Sequence, residues 1–187
     1  MLKRVRAYIG LGANVGDVRA NLEHAVRALD ALPGVRLQAV SPLYRTSPVG
    51  VIDQPAFLNA VAALDVPAGP TVETGSLALL DALKGLEQAI GRQPRQRWGP
   101  REIDLDLLVF GRHHVSVRRP GGGWLEVPHP LMGERLFVLA PLADLAPRLL
   151  PPGWRETVGR VATRLADTEG GAAVRLGDWH PPDGRWH

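Results

Sequence analysis

The sequence has no cysteine, which removes disulfide scaffolds, thiolate metal sites and cysteine nucleophiles from consideration. No apolar run approaches the roughly 18 residues that a membrane-spanning helix needs. The opening Met-Leu-Lys-Arg-Val-Arg leads into a strand-like segment rather than a secretory hydrophobic region, so the expected location is cytoplasmic. Lysine is nearly missing: Lys3 and Lys84 are the only lysines among 22 basic residues, and the rest are arginines. The net charge of +3 is too small to argue alone for an anionic macromolecular partner. What is present is ordinary for a globular protein: 187 residues, 45% hydrophobic and 22% charged. That length fits one domain able to bury its own core. The expected division is a single domain over 1–167 and a loose Pro/Gly-rich tail over 168–187.

Alternation over 5–12 predicts a strand, and Asp17 is a suitable N-cap for a helix carrying Val18, Leu22, Ala25, Val26 and Leu29 at helical spacing. Pro33-Gly34 ends it. A second strand is expected over 35–46, a shaped loop over 46–55, a third strand over 57–66, and a helix over about 75–90 stopped by Gly91. Residues 102–110 are the clearest strand. The glycine-rich stretch 111–123 is expected to connect a hairpin with a short strand over 125–127. A helix over 134–145 broken by Pro141 and another near 155–166 complete the set. The order strand-helix-strand-strand-helix-strand is that of a ferredoxin-like α+β domain, an antiparallel sheet flanked by helices.

Gly10-Leu-Gly12 after a strand invites a dinucleotide reading, but Val15 stands where the third glycine is needed. A tight strand-to-helix turn accounts better for these glycines. Neither lysine sits in a P-loop context. The segment 92–101 is different: Arg-Gln-Pro-Arg-Gln-Arg-Trp-Gly-Pro-Arg holds four arginines, one indole and no acid, and Glu-Ile-Asp-Leu-Asp-Leu-Leu-Val-Phe follows. On a strand Ile103, Leu105, Leu107 and Val109 point one way, and Asp104, Asp106, Leu108 and Phe110 the other. Carboxylates one pleat repeat apart repel by about 2 kcal/mol at an effective dielectric of 20. Solvation relieves this, and so do cations. Asp-x-Asp offers the hard oxygens that Mg²⁺ prefers, and guanidinium groups suit the charge of a polyphosphate. Either element alone is compatible with a solvated surface. The two together, joined by a rigid Trp-Gly-Pro, favour a nucleotide site.

Arg97-Trp-Gly-Pro-Arg-Glu-Ile-Asp-Leu-Asp-Leu-Leu108 resembles the signature of the 6-hydroxymethyl-7,8-dihydropterin pyrophosphokinase family of folate biosynthesis. Tyr8-Ile-Gly-Leu-Gly-Ala-Asn14, Tyr44-Arg-Thr-Ser-Pro-Val-Gly50, Gln54-Pro-Ala-Phe-Leu-Asn59, Val127-Pro-His-Pro130 and Arg135-Leu-Phe-Val-Leu139 are similar to the same family, in order, over about 6–150. The resemblance implies a ferredoxin-like enzyme that moves pyrophosphate from ATP to the pterin hydroxymethyl oxygen and releases AMP. It implies that Asp104 and Asp106 bind two Mg²⁺ ions and that Arg92 and Arg101 take part in catalysis. Lys84, Arg97, Trp98, Arg101, His129 and Arg135 would contact ATP. Thr46, Pro48, Val49, Phe57, Asn59 and Phe137 would hold the pterin, the two phenylalanines by stacking. Two positions depart from the family. Trp124 stands where an arginine is common, leaving Arg118 or Arg119 to substitute, and Lys84 replaces a common glutamine.

Without the resemblance, Phe57 and Phe137 are compatible with core packing and His129 with a turn. His113-His114 lack a third partner and are not read as a metal site. The expected partners are ATP and the pterin, with no nucleic acid and no membrane, and the expected state is a monomer. A nucleic-acid-binding module is the runner-up, because ferredoxin-like sheets with arginines serve that role. The paired aspartates and the lack of an RNP-type aromatic strand argue against it. A catalytically inactive relative is opposed by the retained Asp-x-Asp, Arg92 and Arg101.

Overall fold

A computed structural model describes residues 3–48, 53–94, 99–169 and 172–187. The elements are β1 (Arg4–Ala13), α1 (Val18–Asp30), β2 (Arg36–Val40), β3 (Leu43–Thr46), β4 (Phe57–Pro67), α2 (Val72–Ile90) and β5 (Asp104–Phe110). There follow β6 (Val115–Arg118), β7 (Trp124–Val127), α3 (Leu136–Leu145), α4 (Val158–Glu169), β8 (Ala173–Gly177), β9 (Trp179–His180) and β10 (Arg185–Trp186). The main sheet runs β5-β1-β4-β3-β8, with β2 also on β4, and every pairing in it is antiparallel. The arrangement is α+β and ferredoxin-like, as the element order predicts.

Alternation along the strands divides two cores. Ile9, Leu11, Ala62, Leu64, Leu105 and Leu107 pack with Leu22, Val26 and Leu29 of α1 and Leu79 and Leu83 of α2. Tyr8, Val61, Ala63 and Leu108 face the other way and pack with Val138, Leu139 and Leu142 of α3 and Val158 and Val161 of α4. Asp17 caps α1 by accepting from the Ala20 N–H at 3.1 Å. Thr71 and Thr74 form a reciprocal capping box on α2.

Several expectations are corrected. The strand foreseen over 35–46 divides at Ser41-Pro42. Pro42 has no N–H to offer a ladder, and Ser41 takes Val61 on both sides, its N–H to the Val61 carbonyl at 2.9 Å and its Oγ from the Val61 N–H at 2.9 Å. The stretch 111–123 contains a strand of its own, β6, paired with β7. Pro141 does not break α3, which runs through it. Buried Leu136, Val138, Leu139 and Leu142 offset a cost of about 3 kcal/mol for the lost helical bond. The described residues 172–187 are not loose. β8 extends the sheet beside β3, and β9 and β10 form a hairpin whose Trp186 is buried.

The alternation on β5 also fails at one point. Tyr8 lies opposite Val109 but Ile9 opposite Leu107, so Leu108 is the extra residue of a bulge. Val109 therefore joins Leu108 on the α3/α4 side, and Phe110 joins the α1/α2 core, the reverse of the simple period-two expectation. The bulge has a use: the Leu108 carbonyl accepts from the His129 N–H at 2.9 Å, which holds the loop after β7 against β5.

Candidate active site

Asp106 and Asp104 lie opposite Gly10 and Gly12 of β1, and Gly12 lies opposite Asn59 of β4. Cross-strand partners share a face, so carboxylates, bare backbone and carboxamide form one continuous floor. A Cβ at Gly12 would stand 3.0 Å from Asn59 Oδ1, and one at Gly10 3.4 Å from Leu108 Cδ2. Gly10 and Gly12 are thus not a strand-to-helix turn. They are strand residues whose missing side chains leave the floor open beside α3. The space above is a cleft of about 750 Å³, mouth included.

Phe57 and Asn59 of β4, Thr46 at the end of β3, and Phe137 of α3 line one part of this cleft, with Arg101, Asp104, Asp106 and Arg135 at the other. Asn59 Nδ2 donates to Thr46 Oγ1 at 2.7 Å, which fixes the carboxamide and leaves a second N–H and its oxygen for a ligand. The Tyr44 hydroxyl donates to Asp144 at 2.6 Å and ties the far end of α3 to β3. Pro48 is half-buried next to this group and is not among the cleft-lining residues. Val49, Arg97 and Trp98 lie outside the described residues.

An adjoining cavity is lined by Lys84, Arg119, Trp124, His129 and Asp106. Asp106 borders both spaces. Trp124 is 64% exposed there. Of the two arginines expected to stand in at this place, Arg119 lines the cavity, whereas Arg118 is exposed on β6 opposite Trp124. His129 Nδ1 accepts from the Leu131 N–H at 3.2 Å, so in the neutral ring the proton sits on Nε2.

The charges are wired together from α2. Gly91, at φ 104°, turns the chain so that the Arg92 N–H returns to the Glu87 carbonyl at 3.0 Å. Arg92 Nη1 then reaches Glu87 at 2.5 Å and Asp104 at 2.6 Å. Buried Glu87 also accepts from Lys84 Nζ at 2.6 Å and from the Leu105 N–H at 2.7 Å. Arg101 Nη1 pairs with the other Asp104 oxygen. Its backbone is clamped by Asn14, whose N–H reaches the Arg101 carbonyl at 2.9 Å and whose Oδ1 accepts the Arg101 N–H at 2.8 Å. Asn14 Nδ2 continues to Gln54 Oε1 and the Pro55 carbonyl, each at 3.0 Å. Sequence reasoning missed Asn14 and Glu87, which act on the site through others.

Burial alone would raise the Asp104 carboxyl, but the charges of Arg101, Arg92 and Lys84 hold it below its ordinary range. Asp106 goes the other way: burial and then the Asp104 carboxylate push it up. Among the described residues, no hydrogen bond or ion pair within 4.0 Å reaches the Asp106 carboxylate. A carboxylate so placed, beside a second one, has the oxygen donors a hard divalent cation takes. Burial lowers the pKa of His129, partly offset by Asp106, and Glu87 is raised by burial.

Comparison with known proteins places this geometry. The 7,8-dihydro-6-hydroxymethylpterin-pyrophosphokinase (HPPK) family pattern matches residues 8–147. The 2-amino-4-hydroxy-6-hydroxymethyldihydropteridine pyrophosphokinase of Pseudomonas aeruginosa is 48% identical over 149 residues, 79% of this chain and 85% of that protein. The protein of the same name from Bacillus subtilis is 42% identical over 139 residues, 74% of this chain and 77% of its own length. In shape, the chain is similar to the crystal structure of wild-type Plasmodium falciparum HPPK-DHPS, with a TM-score of 0.76 at 13% identity. That likeness covers 95% of this chain and 49% of the other, so the chain spans about half its length. It bears on the fold.

Proposed function

The chain belongs to the 7,8-dihydro-6-hydroxymethylpterin-pyrophosphokinase family, and from that premise we propose that it transfers pyrophosphate from ATP to the hydroxymethyl oxygen of 6-hydroxymethyl-7,8-dihydropterin, releasing AMP. The observation that carries the reading is Asp106, a carboxylate that no hydrogen bond or ion pair within 4.0 Å reaches among the described residues, at the junction of two cavities. One cavity is walled by aromatic rings and a carboxamide, the other by basic groups and an indole.

In this reading the pterin lies between Phe57 and Phe137, with its amide edge read by Asn59 and by backbone near Thr46 and Pro48. The triphosphate crosses to the second cavity, where Lys84, Arg119 and His129 Nε2 supply donors and the exposed face of Trp124 offers the base a surface to stack on. Asp104 and Asp106 would hold two Mg²⁺ ions, which when bound supply charge neutralisation on the phosphates and acidify the attacking alcohol. The hydroxymethyl oxygen forms its bond to the β-phosphorus as the bond from that phosphorus to the α,β-bridging oxygen breaks. The hydroxyl proton leaves to solvent, and AMP carries away the bridging oxygen. Arg92 and Arg101, already held at Asp104 by Glu87 and Asn14, face the charge that develops on the leaving phosphate, and Arg135 adds a third guanidinium. Such transfers depend on alignment and charge neutralisation more than on a strong base.

The test is to incubate the protein with ATP, Mg²⁺ and the hydroxymethyl-dihydropterin and to identify the nucleotide formed. AMP is the expected product. ADP points to ordinary phosphoryl transfer, and the absence of pterin-dependent turnover removes the reading.

A further inference from the structure

The hairpin that follows β8 carries a second cluster of chemistry unrelated to the cleft. Trp179 is paired with Trp186, and His180 with Arg185. Just beyond, Asp178 and His187 exchange backbone hydrogen bonds at 2.8 and 2.9 Å. Alternation therefore turns the indoles inward and the two imidazoles outward on one face. The inward side is firmly seated: Trp186 is 2% exposed, and its Nε1 donates to the Ser41 carbonyl at 2.9 Å. The turn is braced to α1, because Arg19 donates to the Trp186 carbonyl at 2.7 Å and Arg27 to the Gly184 carbonyl at 3.0 Å.

Asp183 comes from this turn, with its N–H on the His180 carbonyl at 3.2 Å. Both rings converge on one of its oxygens, His180 Nδ1 at 3.1 Å and His187 Nε2 at 2.9 Å from Oδ2. The three ligand atoms all lie within 4.8 Å of one another. A tetrahedral ion with bonds of about 2.0–2.1 Å sets its ligands about 3.3 Å apart, so small side-chain shifts admit one. The neighbouring cation on the same face, Arg185, is turned toward Glu23 on α1, 4.0 Å away.

We propose that His180, Asp183 and His187 form a site for a borderline divalent metal, with Zn²⁺ as its ligand and water in the fourth position. Two imidazoles and one carboxylate suit zinc, whereas Mg²⁺ and Ca²⁺ take oxygen donors. The ion joins the turn to the segment after β10. It thereby clips shut the hairpin that seats Trp186 and follows the sheet strand β8.

The test uses the full chain without an affinity tag, and each zinc titration is repeated in an Asp106→Asn background, which removes a cleft carboxylate without touching the hairpin; the site is expected to persist there. Calorimetric titration with Zn²⁺ is expected to show one saturating site with a dissociation constant on the order of micromolar. Zinc at about 100 times that constant is expected to raise Tm by about 5–10 °C. His180→Ala and His187→Ala should each weaken zinc binding more than about tenfold, while the double variant His113→Ala/His114→Ala binds zinc as the unaltered protein does. The zinc-dependent part of Tm is read in each variant, so a change in basal stability does not enter. Cobalt(II) in place of zinc gives a visible spectrum that His187→Ala should lose. Lack of a saturable site, equal zinc binding by His187→Ala, or an equal Tm response to added Ca²⁺ overturns the proposal.

Discussion

Asp106 sits where a carboxylate is costly, and its neighbour Asp104 makes it costlier, since burial and that second negative charge both raise its pKa. A carboxyl whose folded-state pKa is raised contributes stability that is fully present below its unfolded value, near 4, and lost as the pH climbs through the folded value. Asp106→Asn is therefore expected to raise Tm at neutral pH while removing turnover. Its advantage over the unaltered protein should shrink as the pH is lowered toward 4, which thermal melts across that range would show. Asp104→Ala should also lose nearly all turnover while leaving pterin affinity largely intact, because the aromatic walls and Asn59 stand apart from it. Equilibrium binding of the pterin beside steady-state rates checks this, and a parallel loss of both counts against the division of roles. The aspartates were legible in the sequence because a two-residue period puts both on one face whatever the partners are. Gly10, Gly12 and Asn14 were not, because their roles depend on what lies across the sheet: Asn59 opposite Gly12 and Arg101 against Asn14.

At the scale of elements, the end of α2 sets the position of the first arginine. Gly91 at φ 104° lets the chain double back so that Arg92 meets Glu87 and Asp104. Gly91→Ala meets no atom within 4 Å, so its cost comes from backbone conformation alone, about 1–2 kcal/mol. The expected outcome is a lower midpoint in denaturant together with a reduced kcat, since relaxing the turn withdraws Arg92. A fall in stability with unchanged kcat would separate the turn from the site. Helices and strands with strong periodicity, such as α1, β4 and β5, could be read from the residues. The bulge at Leu108, the division of β2 from β3 and the survival of α3 through Pro141 could not. Each is decided by a tertiary partner: His129 on the Leu108 carbonyl, Val61 on Ser41, and the core beneath α3.

For the molecule as a whole, the last strands matter more than their composition suggests. A Pro- and Gly-rich segment offers little periodicity, and its order comes from β3, α1 and the pocket that receives Trp186. Trp186→Ala removes a large buried side chain and the donor to the Ser41 carbonyl, a loss of about 3–5 kcal/mol. Urea denaturation should register it at β3 as well as at the hairpin, because β8 pairs with β3. Charge is also distributed with a consequence at this scale. Before any substrate arrives, Arg92 and Arg101 grip Asp104, so the protein supplies its own stand-in for the anion it awaits. Loading the site is then a swap of dance partners, the guanidiniums leaving carboxylate for phosphate as the carboxylate turns to metal. Neither half of the swap is favourable alone. Free Mg²⁺ should accordingly bind weakly to the resting enzyme and much more tightly once a non-hydrolysable ATP analogue is present, a contrast that calorimetry can measure directly.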